Sequence, residues 1–222
     1  MHCRSLLFLL GTCCIPGALL AQYSIGVQGG PLFFQGAWEA KKELSNTSGW
    51  MVGIQVVEGR TGKNGFRVGL DYGERSYTMQ ARNINRMEEY DMVTSMIWLS
   101  TEMRWPLSRR FGLFFDLGPV IGFEVKERRE GISYYEDGRP GDADSTMVNE
   151  VEHGFAISDG HWRIGLSAQV PIGGNWKFTA GAHLCPGVGS WAQGHGYATM
   201  DASMRAGLLC ALKSKRKYGR VI

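Results

Sequence analysis

The residues that could do chemistry lie late in the chain. Ser167, His183 and Ser203 fall at similar depth on three consecutive runs of alternating residues, with Asp201 one inward step from Ser203 and Arg205 two residues beyond it. A serine, a histidine and an acid are the parts of a nucleophilic triad, in which the imidazole takes the hydroxyl proton and the acid orients the imidazole. A site of that kind that edits lipid acyl chains has to open to the lipid or to a rim, whereas these positions are central. The cluster therefore reads as a packed hydrogen-bond network.

Other reactive residues lack the spacing their chemistry needs. His153, His161 and His195 have no metal-ligand spacing and read as solvent-exposed positions in loops or rims. Asp142 and Asp144 lack the glycine and terminal glutamate of a calcium loop. Of the cysteines, Cys3, Cys13 and Cys14 sit in the first segment, which leaves Cys185 and Cys210. Those two are expected on opposite faces at different depths, so no disulfide is expected between them. No catalytic residue, cofactor or metal is expected.

The elements that position these residues repeat with period two. Phe111, Leu113, Phe115, Leu117, Pro119, Ile121 and Phe123 alternate with Gly112, Phe114, Asp116, Gly118, Val120, Gly122 and Glu124. One row is oil and the other is small or polar, as in a strand with lipid on one side and a lumen on the other. The same alternation holds over 66–73, 162–170, 176–184 and 200–208, and more noisily over 23–38, 50–57 and 93–105. In the first of these noisier runs the parity slips near Gly29-Gly30-Pro31, which predicts a bulge there. Eight strands result, and the predicted fold is all-β: an eight-stranded antiparallel up-and-down transmembrane β-barrel.

The inward row carries both signs of charge: Arg67, Asp71, Arg75, Glu102, Arg104, Asp116, Glu124, Arg163, Lys177, Asp201 and Arg205. An eight-stranded barrel is just wide enough for side chains to fill it. The expectation is a salt-bridged lumen rather than a pore, because an unpaired buried charge costs several kcal/mol.

The surrounding organisation agrees. Residues 1–21 read as a signal peptide, with Arg4 before the apolar run Leu6–Leu10 and Ala21 before the cleavage site at Gln22. Residues 22–212 form the barrel and 213–222 a basic tail. Three connections are short (59–64, 107–110, 173–175) and four are longer (39–49, 80–92, 126–158, 190–197), in strict alternation. This rhythm predicts short periplasmic turns, external loops and both termini in the periplasm of a Gram-negative cell. Tyr23, Phe66, Trp105, Phe111 and Trp176 are expected near the periplasmic rim. Trp50, Tyr77, Trp162, Trp191 and Tyr197 are expected near the outer one. A net charge of +3 with no basic-aromatic motif excludes nucleic acid as a partner. The 31 glycines are far above an ordinary share of about 7%, and suit a narrow, strongly coiled barrel.

The segment Gln22-Tyr23-Ser24-Ile25-Gly26-Val27-Gln28-Gly29-Gly30 resembles the opening strand of the PorT-like outer-membrane β-barrel family common in Bacteroidota. The glycine-rich runs 112–122 and 170–181 resemble that family too. The resemblance implies an outer-membrane barrel. The function expected is non-enzymatic, structural or surface-interacting. Outer-membrane lipids are the expected partners, with a protein partner conceivable at loop 126–158 or at the tail Lys213-Ser214-Lys215-Arg216-Lys217. The alternatives are a lipid-modifying barrel enzyme (acyl hydrolase or transferase) and a soluble lipocalin-like binder, the latter suggested by Gly36-Ala37-Trp38.

Overall fold

The computed structural model describes residues 23–37, 42–58, 64–83, 86–108, 110–135, 147–189 and 197–212. The segment 1–21, Trp38, Trp191, His195 and the tail 213–222 lie outside these residues. Eight strands run in chain order: β1 (Tyr23–Ala37), β2 (Lys42–Glu58), β3 (Gly65–Asn83), β4 (Arg86–Ser108), β5 (Leu113–Tyr135), β6 (Met147–Gly173), β7 (Trp176–Gly189) and β8 (Tyr197–Ala211). Each pairs antiparallel with its sequence neighbours, and β8 pairs back onto β1, so the sheet closes. Closure removes both edges and satisfies the backbone polar groups around the wall.

Alternation sets which side chains face in. Along β5, Phe114, Asp116, Gly118, Val120 and Gly122 are buried, while Pro119 and Ile121 are exposed. The other strands repeat this, and the result is inverted relative to a water-soluble barrel. Large apolar side chains cover the outside, among them Val27 at 55%, Ile54 at 57% and Trp162 at 58% exposure. Arginines and carboxylates fill the inside.

The bulge expected at Gly29-Gly30-Pro31 is not formed. β1 keeps one register against β2 from Tyr23 to Leu32 and one against β8 throughout. The apparent slip arises because Leu32 is apolar yet faces inward, where it joins Met51, Met96, Trp98 and Val120 in an interior apolar cluster. Register shifts occur instead between Ser95 and Met96 against β5, and between Gly122 and Lys126 against β6.

Three of the four long connections are mostly strand. The predicted loop 80–92 is a continuation of β3 and β4, paired to Asn83↔Arg86. The predicted loop 126–158 is ladder from Lys126↔Glu152 to Gly131↔Met147, and β2 already begins at Lys42. Alternation with apolar residues marks only the part of a strand that touches oil, so strand above that level carries no such mark. At the opposite end the turns are tight. Gly173↔Trp176 closes the β6–β7 hairpin, where Gly173 and Gly174 have φ of 137° and 55°. The left-handed region needed there favours glycine.

The inward glycines make space for the charges. A Cβ on Gly122 would lie 1.6 Å from Asp159 Oδ1, and one on Gly53 would lie 2.3 Å from Asp71 Oδ1. Glycine thus stands where a carboxylate from the next strand crosses the wall. Gly160 faces outward with nothing within 4 Å of its Cβ position. Gly122→Val should therefore cost about 1–3 kcal/mol, read as a lower urea midpoint in detergent micelles, while Gly160→Val should cost nothing measurable. Equal midpoints for the two variants would sink this account of the glycines.

Candidate functional site

The polar interior divides into two ion-paired groups. The larger lies toward the tight turns. Arg67 on β3 donates to Glu102 on β4 and lies 3.1 Å from Asp116 on β5. Arg104 on β4 bonds Asp116 at 2.8 Å. Arg163 on β6 bonds Glu102 at 2.6 Å. Across the lumen, Arg205 on β8 donates to Asp71 on β3 at 2.9 Å, and Gln28 on β1 donates to the other oxygen of Asp71 at 2.8 Å.

The second group lies toward the long hairpins. Arg75 donates 2.7 Å to Asp159 on β6 and also bonds Asp201 on β8. His161 Nε2 lies 2.9 Å from Asp159 Oδ2. The Arg75 guanidinium also sits 5.1 Å from the ring centroid of Trp98, which ties this group to the apolar cluster. In both groups each guanidinium meets a carboxylate from another strand; the first group holds four guanidiniums and three carboxylates and the second one guanidinium and two carboxylates, so these charges balance only when the two groups are taken together.

Most of the expected lumen residues lie inside the wall. Arg67, Asp71, Arg75, Glu102, Arg104, Asp116, Arg163, Asp201 and Arg205 are buried. Glu124 and Lys177 are only half-buried. Glu124 stands at the hairpin-end mouth. Lys177 stands near the turns, and no ion pair reaches it among the described residues. Cys185 is buried and pairs in register with Asp201, whereas Cys210 pairs with Trp176, and both are free thiols.

Two positions depart from the sequence reading. His161 is buried rather than solvent-exposed, because the alternation continues below Trp162 and turns it and Asp159 inward. Tyr77 does not belong to the outer aromatic ring. It shares the inward parity of Arg75 and faces Thr94 and Glu127. Trp50 and Tyr72 do stand outside, edge to face at 5.8 Å between centroids. Asp159, His161 and Gln28 were missed as lumen residues, although extending the period-two count past Trp162 would have found the first two.

The Ser167, His183 and Ser203 cluster does not assemble as a triad. Ser167 donates its hydroxyl proton to Asp116, and its oxygen accepts from Arg104 at 2.8 Å. His183 Nε2 lies 3.0 Å from Arg67 Nη2. A guanidinium only donates, so Nε2 accepts and cannot also take a proton from serine. Ser203 Oγ is engaged by Arg205 Nε at 3.4 Å.

Glu102, Asp116 and His183 do bring ligand atoms within 4.8 Å of one another, a set that could hold a metal ion. The Arg67 guanidinium touches all three. The cation that this set needs is therefore a side chain of the barrel.

No family model matches the chain, and no curated protein does. Among solved structures, it is similar to the outer membrane protein OprG from Pseudomonas aeruginosa, at 8% identity over 86% of this chain and 96% of that one, with a TM-score of 0.38. It is also similar to the translocator domain of the autotransporter NalP from Neisseria meningitidis, at 10% identity over 86% and 87%, with a TM-score of 0.33. The class is an eight-stranded, closed, antiparallel β-barrel, and it stands on the strand register itself.

Removing Arg67 would leave Glu102 and Asp116 facing each other with one counter-charge fewer. Arg67→Met is expected to destabilise by about 3–5 kcal/mol, the cost of breaking a buried pair from one side. Arg67→Met combined with Glu102→Gln should recover part of that loss. Urea unfolding of the four proteins in a double-mutant cycle measures it, and strictly additive effects would contradict the pairing.

Proposed function

We propose that this chain spans the outer membrane of a Gram-negative cell as a closed, non-enzymatic barrel whose role is structural or lies in contacts made by its external hairpins. The observation that carries the reading is the inverted burial: an apolar outer wall around an ion-paired interior. In water such a wall would be an apolar patch far beyond what a monomer tolerates. In a bilayer it is the expected surface.

The height fits as well. On β5 the oily row runs from Leu113 to Phe123, matching the roughly 9–11 residues of a tilted membrane strand. Beyond it, Arg128 and Glu130 are exposed and paired at 3.2 Å, which suits water. Tight turns at one end and long hairpins at the other support a periplasmic turn end and periplasmic termini. The glycine pattern of 22–30, 112–122 and 170–181 supports membership of the PorT-like family. The partners of this reading are outer-membrane lipids, with a protein partner at 126–158 or at 213–217.

The filled lumen argues against conduction, and the engagement of Ser167 by Asp116 and Arg104 argues against acyl transfer at that serine. The purified mature chain should migrate faster unboiled than boiled and should fractionate with the outer membrane. It should give no current steps in planar bilayers. Recovery from the soluble periplasm without detergent would overturn the membrane reading, and regular conductance steps would overturn the closed lumen. A change in the lipid A mass profile that is lost on Ser167→Ala would overturn the non-enzymatic assignment.

A further inference from the structure

The half of the lumen nearer the tight turns carries one positive charge in excess. Among the described residues, Arg67, Arg104, Arg163 and Arg205 stand there against the carboxylates of Asp71, Glu102 and Asp116. His183 does not offset it, since its Nε2 accepts from Arg67 and its ring is neutral. The excess is also shut in. Val57, Phe114 and Leu209 are buried on the turn side, and the apolar cluster around Trp98 lies on the hairpin side. A buried charge without a counter-charge is strongly unfavourable. The outer group has the opposite excess, but it lies nearer a mouth where Glu124 is only half-buried.

The hydrogen bonds point the same way. Arg205 Nη2, Arg163 Nε, His183 Nδ1 and both amide atoms of Gln55 are buried without a hydrogen-bond partner. Apart from Gln55 Oε1, all of these are donors. In the outer group the unmet carboxylate atoms are acceptors, Asp159 Oδ1 and Asp201 Oδ1. Surplus donors therefore fall in the half with surplus positive charge.

Two of the unmet groups are brought together at Asp71. Arg205 Nη1 lies 2.9 Å and Arg163 Nη2 3.8 Å from Asp71 Oδ2, so one carboxylate oxygen is divided between two guanidiniums. Gln55 is 1% exposed and flanks the same carboxylate. A Cβ on Gly53, the next inward position on β2, would strike Asp71 Oδ1. One on Gly69, the register partner of Gln55 on β3, would lie 3.9 Å from Asp71 Oδ2. Gln28 donates to Oδ1, and the Gln55 amide bonds to neither oxygen. The inward positions beside Gln55 on β1, β2 and β3 are Gly26, Gly53 and Gly69, which bring no side chain of their own against its amide.

We propose that this sealed half of the lumen takes up one small monovalent anion, a halide such as chloride, held by Arg205 Nη2 and the Gln55 amide beside Asp71. The ion brings four negative charges against four guanidiniums. Water would meet the donors but would leave the charge. Asp71 repels such an ion, yet its own charge is already drawn onto Arg205, Arg163 and Gln28, and the ion takes the other nitrogen of Arg205. A lumen this full of side chains admits only a small ion.

The inference does not rest on the membrane reading, because binding is measured on the folded chain whatever compartment it comes from. Folded full-length chain, verified by its unboiled gel mobility, is unfolded in urea at constant ionic strength while sodium chloride replaces sodium gluconate, whose anion is too large for the lumen. A tenfold rise in chloride should multiply the folding constant by up to about tenfold, the limit for one ion bound only by the folded state. Bromide should act as chloride does. Gln55→Glu puts a carboxylate where the ion would sit, so it should keep the parent's gel mobility and lose the halide dependence. Gln55→Leu removes the amide and keeps the excess charge, so it should retain a weaker dependence. Crystals grown in sodium bromide should show an anomalous peak in contact with Arg205 Nη2. A parent midpoint indifferent to chloride would mean water alone in the pocket and would overturn the proposal. Undiminished halide dependence in the Gln55 variants, or no bromide peak at Arg205, would overturn it as well.

Discussion

The larger ion-paired group inside this barrel depends on Arg67 having somewhere to put its charge. Its guanidinium meets Glu102, Asp116 and His183 at once, and those partners are themselves held by Arg163, Arg104 and Ser167. A closed wall of eight strands leaves no room for the water that would otherwise solvate such groups. The charges must then be matched by other side chains, and matching fixes which strand faces which across the lumen. The glycines follow from the same requirement. Gly53 is there because Asp71 needs its space, and Gly165 because a Cβ would lie 2.3 Å from His183 Cδ2.

Ion pairs of this kind are weak evidence for stability, since desolvation offsets much of their attraction. Their stronger effect is on register. Arg75 on β3 reaches Asp159 on β6 and Asp201 on β8, and Arg205 on β8 reaches Asp71 on β3. A slip of one residue on any of these strands would turn its charges to the outer face. In a bilayer each such charge costs about 2–4 kcal/mol at mid-depth. The lumen thus penalises slipped registers heavily, whatever it adds to the correct one.

The sequence made the oily belt readable because a single rule, apolar out and polar in, holds from Phe66 to Tyr72 and from Leu113 to Phe123. It misled wherever that rule is suspended. Leu32, Met51, Met96, Trp98 and Val120 are apolar and inside, so β1 looked bulged and β4 looked noisy. Above the belt polar residues stand on both faces, so the upper parts of β3 to β6 looked like loops. His161 looked exposed because its strand was taken to begin at Trp162, whereas β6 already runs from Met147. Of the polar cluster, strand depth located Ser167 and His183 together, but only side-chain geometry shows that each is bonded to its own arginine. The network's partners come from strands far apart in sequence, and no spacing rule links Arg75 to Asp201.

The wall itself is uneven, and that bears on where the chain can act. β4, β5 and β6 run for 23, 23 and 27 residues, while β1, β7 and β8 run for 15, 14 and 15. The extra length lies on one side and at one end, as ladder paired to Asn83↔Arg86 and Gly131↔Met147. Matched charges occupy the lumen and apolar side chains cover the belt. The raised hairpins and the mouth beneath them are different. There the backbone is held rigid by pairing while polar side chains such as Arg128 and Glu130 remain exposed, and Asp159 keeps an oxygen unspent. A surface that is rigid, wet and incompletely matched can gain free energy from something it does not already hold.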